Sequence, residues 1–326
     1  MKRREFIALL GAAATVRPIG PALSEPGAKT RRVGLLNPTA GAGWRRALIQ
    51  ALEGIGYREG QNLTLEVRSA DGRLERLPQL AEELIRSGIE VLVSPSTPAT
   101  QAAIATGTKI PIVMAVVGDP VGAGFVPNLN RPGGTVTGVS NAAGELAGKR
   151  LALLKQAIPA ATRIAVFTHP TDPVTAVQLR QIEVSARSLS VELKVFPVID
   201  TPEDIERAVT AAVAWRAGAV FRILAGGGSG LRKMQAELLL KHRMPAMLGT
   251  RIDVENGGLM SYYADLSEHW GQVADYVDRI LKGTKPSDLP VALPTKFQLV
   301  LNLKTARALG IELPPQILEL ADEVIE

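Results

Sequence analysis

The chain has 326 residues, of which 46% are hydrophobic and 21% are charged, a balance typical of a globular protein long enough for two lobes. Its formal charge is +5, and it is +2 when residues 1–24 are left out. No basic stretch after these residues contains interleaved aromatic residues, so no nucleic-acid-binding surface is predicted. The absence of cysteine excludes disulfides, thiolate catalysis and cysteine-ligated metals.

The first 24 residues are predicted to be an export signal. A basic stretch at residues 2–4 precedes an apolar stretch at residues 8–16, which is too short to span a bilayer as a helix. The pair Arg3-Arg4 resembles a twin-arginine signal, and the small residues around Ser24 predict cleavage after it. The mature chain is therefore expected in the periplasm, without a lipid anchor because it has no cysteine to acylate. The alternative is a disordered basic N-terminus in a cytoplasmic protein.

From residue 33 onward, the hydrophobic pattern alternates between strands and helices. The first series is predicted as strand 33–37, helix 44–55, strand 63–67, helix 74–86, strand 91–93, helix 98–105, strand 112–117 and strand 136–139. The second series is predicted as helix 145–157, strand 164–167, helix 174–188, strand 193–196, helix 202–214, strand 219–224, helix 231–241, strands 245–248 and 258–262, helix 266–281, strand 297–303, helix 304–309 and a terminal helix from residue 314.

Two such series predict an α/β protein with two doubly wound, Rossmann-like lobes joined by a hinge. Lobe 1 is predicted at residues 31–141 plus 264–294 and lobe 2 at residues 142–263, while residues 295–326 form a hinge or crossover segment with no lobe assigned. In doubly wound sheets, ligands bind beyond the carboxyl ends of the strands. Two facing lobes therefore predict a cleft that closes around a ligand.

Several short stretches, in order along the chain, carry a family resemblance. They are GYREGQN at 56–62, GDPV at 118–121, NRPGGTVTGV at 130–139, KRLALL at 149–154, GGLMSY at 257–262, RILKGTKP at 279–286, PTKF at 294–297, NLKTA at 302–306 and ADEVIE at 321–326. Together they resemble the ABC transporter substrate-binding proteins assigned to tryptophan and tyrosine uptake. The resemblance implies a periplasmic-binding-protein fold of type I, and permease and ATPase subunits encoded elsewhere. It also implies a small-molecule ligand, with an aromatic amino acid as the family-level candidate.

Candidate ligand-binding residues are taken from the predicted strand ends, where the crevice rule and the resemblance agree. They are Asn37, Thr39, Ser94, Ser96, Thr97, Asp119, Asn141, His169, Asp172, Arg251 and Tyr262. Ser96 and Thr97 precede a helix, and a helix start favours a carboxylate. Asp119 either accepts a hydrogen bond from a ligand ammonium or stabilises its own turn. Of Tyr262 and Tyr263, one is expected to face the cleft because strand side chains alternate.

The sequence departs from the family at the loop after the strand ending at residue 224. Members usually carry an acidic or bulkier loop there, whereas this chain has AGGGSG at residues 225–230. A change in specificity is expected if the usual residue contacts ligand. The loop lacks the order of a phosphate-binding motif, so no nucleotide is predicted.

No catalytic residue, metal or cofactor is predicted. The three histidines lack metal-ligand spacing, and no G-x-S-x-G sequence holds a nucleophile. We therefore expect a monomeric solute-binding protein of an ABC importer that is not an enzyme. The alternatives are a cytoplasmic α/β enzyme acting on a small metabolite and a sensor-type ligand-binding protein.

Overall fold

The predicted strands and helices assemble into two separate sheets covered by helices. The computed structural model describes residues 30–326 except 41, 171, 173, 200, 224–230 and 266–267. The predicted export signal and the glycine-rich loop therefore lie outside the described residues.

The described residues form twelve strands and eleven α-helices. The strands are β1 (Arg31–Asn37), β2 (Leu63–Ser69), β3 (Val91–Ser94), β4 (Ile112–Val117), β5 (Val136–Ser140), β6 (Arg163–Thr168), β7 (Glu192–Pro197), β8 (Ala219–Arg222), β9 (Ala246–Leu248), β10 (Met260–Ala264), β11 (Phe297–Asn302) and β12 (Glu323–Ile325). The helices are α1 (Gly43–Gly54), α2 (Leu77–Arg86), α3 (Thr97–Ala105), α4 (Ala143–Ala157), α5 (Val174–Leu189), α6 (Pro202–Ala214), α7 (Arg232–Lys241), α8 (Arg251–Glu255), α9 (His269–Leu281), α10 (Leu303–Leu309) and α11 (Pro315–Glu319).

The first sheet is parallel throughout, in the order β2-β1-β3-β4-β5. The strands β1, β3, β4 and β5 are largely buried on both faces because successive side chains enter opposite cores, whereas the edge strand β2 is partly exposed. Leu35 packs with α1 and α9 on one face, whereas its neighbour Leu36 packs with α2 and α3 on the other. The carboxyl ends of all five strands consequently lie at one edge of the sheet.

The second sheet has the order β12-β11-β10-β9-β8-β6-β7. It is parallel except for the antiparallel pairing of β10 with β11. Residues of α4, α5, α10 and α11 cover one face, and residues of α6 and α7 cover the other. The predicted α/β fold of two doubly wound lobes is confirmed.

The chain passes between the two sheets three times. It leaves β5 for α4, leaves β10 for α9, and returns from α9 to β11. Residues 295–326, which carried no lobe assignment, thus supply two strands of the second sheet. The predicted terminal helix is shorter than expected: α11 ends at Glu319 and the chain continues as β12, whose backbone pairs with β11.

Candidate ligand-binding cleft

A cavity of about 550 Å³ lies between the two lobes. Both lobes and the segments that join them contribute to its wall. The residues that line it are Thr39, Ala40, Gly43, Trp44, Ala47, Pro95, Ser96, Thr97, Val116, Gly118, Asn141, Ala143, Val174, Arg232, Gly249, Thr250, Ile252, Tyr263, Ala264 and Trp270. Most are apolar, and five of the polar ones, Thr39, Ser96, Thr97, Asn141 and Thr250, follow strand ends, as the crevice rule requires.

The start of α3 supplies two hydroxyl groups to the cavity. Ser96 caps the helix, because its Oγ accepts a hydrogen bond from the amide of Ala99 at 3.2 Å. The Oγ1 of Thr97 accepts a hydrogen bond from the amide of Gly118 at 3.3 Å. Each oxygen therefore serves the protein as an acceptor, and each hydroxyl hydrogen remains available to a ligand.

Aromatic side chains form part of the wall. The rings of Trp44 and Trp270 lie 5.7 Å apart at an interplanar angle of 53°. The indole nitrogen of Trp44 donates to the Oγ1 of Thr39 at 3.1 Å, which fixes the ring at the cavity. Tyr263 donates its hydroxyl to Gln298 at 2.7 Å, and burial raises the pKa of this phenol. These rings offer a rigid apolar surface for a planar ligand.

The second lobe supplies a cation. The Nη1 of Arg232 donates to both carboxylate oxygens of Asp253 at 2.8 and 2.9 Å, and to the Oγ1 of Thr250 at 3.2 Å. Asp253 also closes a capping box at α8, since it accepts from the amide of Thr250 at 2.8 Å. Asp253 is buried behind Arg232, whose side chain is 27% exposed. This pair therefore presents the guanidinium, not the carboxylate, to the cavity.

A second guanidinium lies deeper in the same lobe. Arg150 is fully buried and donates its Nη2 to the carbonyl oxygens of Leu248 at 2.7 Å and Arg222 at 3.0 Å. Its guanidinium carbon lies 4.7 Å from the centre of the Phe221 ring. Burial lowers the pKa of Arg150 to about 9, and attraction to Asp253 acts against that lowering. Arg150 therefore remains protonated at neutral pH.

Four of the candidate residues from the sequence line the cavity: Thr39, Ser96, Thr97 and Asn141. They follow β1, β3 and β5, so the crevice rule found them without any knowledge of the packing. Tyr263 entered the sequence argument only as one of two options. Arg232 and Thr250 were missed, although Thr250 follows β9 and the same rule would have found it.

Three candidates are corrected by their contacts. Arg251 lies outside the lining, because it forms a bidentate pair with Glu323 at 2.7 Å and also pairs with Glu255. Tyr262 packs into the second lobe against Phe297, at a ring distance of 6.0 Å, so its neighbour Tyr263 is the residue that faces the cavity. Asp119 accepts a hydrogen bond from the amide of Gly122 at 2.7 Å, so it stabilises its own turn, which was one of the two alternatives from the sequence.

The other four candidates lie outside the cavity wall as well. Ser94 is buried behind α3 and shares a 2.7 Å hydrogen bond with Thr100. The Oδ1 of Asn37 accepts from the amide of Thr39 at 3.2 Å, and the Oδ1 of Asp172 accepts from the amide of Val174 at 3.0 Å. The carbonyl oxygen of His169 accepts from the hydroxyl of Thr175 at 2.9 Å. Asn37 and Asp172 thus hold the backbone of Thr39 and Val174, and these two residues line the cavity.

Comparison with known proteins identifies the family. The sequence model of the ABC transporter substrate binding proteins matches residues 40–325. The chain belongs to this family. The match includes eleven of the twelve strands and every cleft residue except Thr39, so the resemblance noted from short stretches is confirmed over nearly the whole chain.

Individual relatives agree with this assignment. A "Tyrosine-binding protein" of Clostridioides difficile is 24% identical over 268 residues, which cover 82% of this chain and 76% of that protein. A conserved domain protein from Vibrio cholerae has a TM-score of 0.84 and 27% identity, over 91% of this chain and 100% of that chain. An ABC domain from Streptococcus pneumonia in complex with L-Trp has a TM-score of 0.82 and 25% identity, with the same coverage.

The described part of the chain contains neither a membrane-spanning helix nor a cluster of metal-ligating side chains. None of its helices combines the length and apolar character needed to cross a membrane. None of its histidine, aspartate and glutamate side chains are grouped in a way that would hold a metal ion.

Proposed function

We propose that this protein is the extracytoplasmic solute-binding component of an ABC importer and captures a small aromatic solute by closure of the two lobes. The single observation that carries this proposal is the cavity between the lobes, which is lined from both sheets and is large enough for a small molecule. A ligand that contacts both walls favours the closed arrangement, because it interacts with more of the protein there. The closed form would then dock on a permease encoded elsewhere.

The aromatic character of the solute is supported by the wall itself. Trp44, Trp270 and Tyr263 surround the space, together with aliphatic residues such as Val116 and Ile252. Two relatives bind aromatic amino acids according to their names, one tyrosine and one L-Trp. Ring stacking on fixed indoles provides affinity without breaking a bond, so capture needs no general acid, base or nucleophile.

A fluorescence titration tests this proposal. The chain has three tryptophans, and Trp215 packs near Phe196 in the second lobe, away from the cavity. In Trp215→Phe, only Trp44 and Trp270 emit, so a bound solute should change the emission saturably. We expect this response from phenyl or hydroxyphenyl compounds that do not emit in the same range.

The matched control is the double variant Trp44→Phe/Trp270→Phe, in which Trp215 alone emits and no comparable change is expected. A folded Trp215→Phe protein that gives no response to any aromatic solute would contradict the proposal.

Export is the second part of the proposal. It is supported by the order of basic, apolar and small residues within residues 1–24, and by the Arg3-Arg4 pair. Family membership agrees with it, since solute-binding proteins act outside the cytoplasmic membrane.

A further inference from the structure

The charged groups around the cavity are unevenly distributed. The described lining contains the guanidinium of Arg232 and no aspartate or glutamate side chain. Asp253, the carboxylate behind the wall, is held by Arg232 and by the amide of Thr250.

The hydrogen-bonding groups show the same imbalance. The side-chain oxygens of Ser96, Thr97, Asn141 and Thr39 each already accept a hydrogen bond from the protein. In contrast, Nε and Nη2 of Arg232, and the side-chain amide hydrogens of Asn141, have no partner among the described residues. With the hydroxyl hydrogens of Ser96 and Thr97, the cavity wall is rich in donors and poor in open acceptors.

Buried charge in the second lobe adds to this pattern. Arg232 is paired with Asp253, whereas Arg150 donates to the backbone carbonyl oxygens of Leu248 and Arg222 and is attracted to Asp253 only through space. Two guanidinium groups and one carboxylate leave a net positive charge behind the wall. This charge is poorly screened because Arg150 is fully buried. It attracts an anion and repels an ammonium group.

We propose that the solute is an aromatic carboxylate without an α-ammonium group, and that Arg232 binds its carboxylate. The inference rests on the proposed function, because it specifies the ligand of the same cavity. A zwitterionic amino acid would lose the hydration of its ammonium on entering the cleft without gaining a charged partner there. The donors of Ser96, Thr97 and Asn141 are available to further lone pairs of the carboxylate.

Isothermal titration calorimetry with matched pairs of ligands tests this inference. Each pair shares the ring and the carboxylate and differs in the ammonium: phenylpropionate and L-phenylalanine, hydroxyphenylpropionate and L-tyrosine, indolepropionate and L-tryptophan. For the preferred ring, we expect the propionate to bind about tenfold or more tightly than its amino acid. An amino acid that binds as tightly as its propionate, or more tightly, overturns the inference and leaves the proposed function standing. If neither class binds, this inference fails, and the proposed function is judged separately by the fluorescence response of Trp44 and Trp270 to other aromatic solutes.

A charge-balanced variant tests the role of Arg232. Arg232→Gln alone would leave buried Asp253 without its cation, so the double variant Arg232→Gln/Asp253→Asn keeps hydrogen-bonding groups at both positions. We expect it to bind the preferred propionate about 10- to 100-fold more weakly. Its affinity for the corresponding neutral amide should change little. The matched control is Arg251→Gln, which removes a paired arginine outside the lining. Equal loss for the propionate and the amide would contradict carboxylate binding by Arg232.

An isosteric substitution adds a negative charge to the cavity wall. Asn141→Asp keeps the oxygen that accepts from the amide of Ala143 at 3.1 Å, so the local turn should persist. The added carboxylate should weaken propionate binding and raise the affinity of the amino acid relative to the propionate. An unchanged ratio of the two affinities would count against the electrostatic basis of the selectivity.

Discussion

His269 connects two of the segments that pass between the lobes. It begins α9, and its Nε2 lies 3.2 Å from the carbonyl oxygen of Ser140, the last residue of β5. A carbonyl oxygen only accepts, so the ring must donate from Nε2. Burial lowers the pKa of His269, while the Ser140 carbonyl, Asp265 and Glu268 oppose this change. The neutral ring is therefore the form that the fold favours.

This preference predicts a pH dependence of stability. A histidine whose pKa is lowered by folding binds a proton more readily in the unfolded chain, so stability is retained above the ordinary histidine pKa of about 6.5 and lost as the pH falls below it. We expect the urea concentration at the midpoint of unfolding to decrease as the pH is lowered from 7.5 to 5.5. His269→Gln retains a donor for the Ser140 carbonyl and should show a smaller fall. If the unfolding midpoints of wild type and His269→Gln decrease equally over this pH range, protonation of His269 is not the cause of the loss of stability.

The contact between β4 and β5 depends on a single glycine. Gly138 has a φ of +136°, and a Cβ at this position would lie 2.1 Å from the carbonyl oxygen of Met114. The register of the two strands shifts between Met114 and Val117, next to this close approach. β5 leads directly to Asn141 in the cavity wall, so this irregular pairing helps to position the site.

Substitution of this glycine should be severely destabilising. Gly138→Ala combines an unfavourable φ with a clash against backbone, and we expect it to lower the free energy of unfolding by more than about 3 kcal/mol. The control is Gly271→Ala in α9, where the added methyl meets nothing within 4 Å. That change should be neutral or stabilise by up to about 1 kcal/mol, because alanine favours a helix. Chemical denaturation measures the free energy of unfolding of both variants. Similar changes in Gly138→Ala and Gly271→Ala would contradict the explanation by φ and backbone clash at Gly138.

The two lobes are joined by three passages of the chain rather than one. These passages follow β5, β10 and α9, and the first two reach the cavity, which Asn141 and Ala264 line directly. Three connecting passages are compatible with the hinged opening and closing that the proposed capture of a solute requires. The whole protein must also reach the compartment in which that solute is found.

The proposed export leads to a prediction for the full chain. In a bacterial host, wild-type protein should be recovered from the periplasm with an intact mass that corresponds to cleavage after Ser24. Arg3→Lys/Arg4→Lys should retain most of it in the cytoplasm if the twin-arginine route is used. Arg17→Lys, a control within the same segment, should be exported normally. Wild-type protein that stays cytoplasmic and unprocessed would favour the cytoplasmic alternative.

Much of the architecture was accessible from the sequence because its signals are local. Apolar runs and helical spacing identified most strands and helices. The helix predicted at residues 202–214 matches α6, where the Oγ1 of Thr201 caps the helix by accepting a hydrogen bond from the amide of Asp204 at 3.2 Å. β12 was missed because three residues are too few to show a period. The crevice rule found Thr39, Ser96, Thr97 and Asn141, since parallel strand ends converge in any doubly wound sheet.

The sequence by itself thus determined the α/β class, the two lobes, the family resemblance and the sheet edges that border the cavity. Only the tertiary structure decided which side chains meet there. The pairing of β10 with β11 turns Tyr263 rather than Tyr262 towards the cavity, and Trp270 lies beside Trp44 because α9 crosses back to the first lobe. Arg232 faces the cavity while Arg251 pairs with Glu323 at the surface. These outcomes depend on contacts between residues far apart in the chain, which no local pattern encodes.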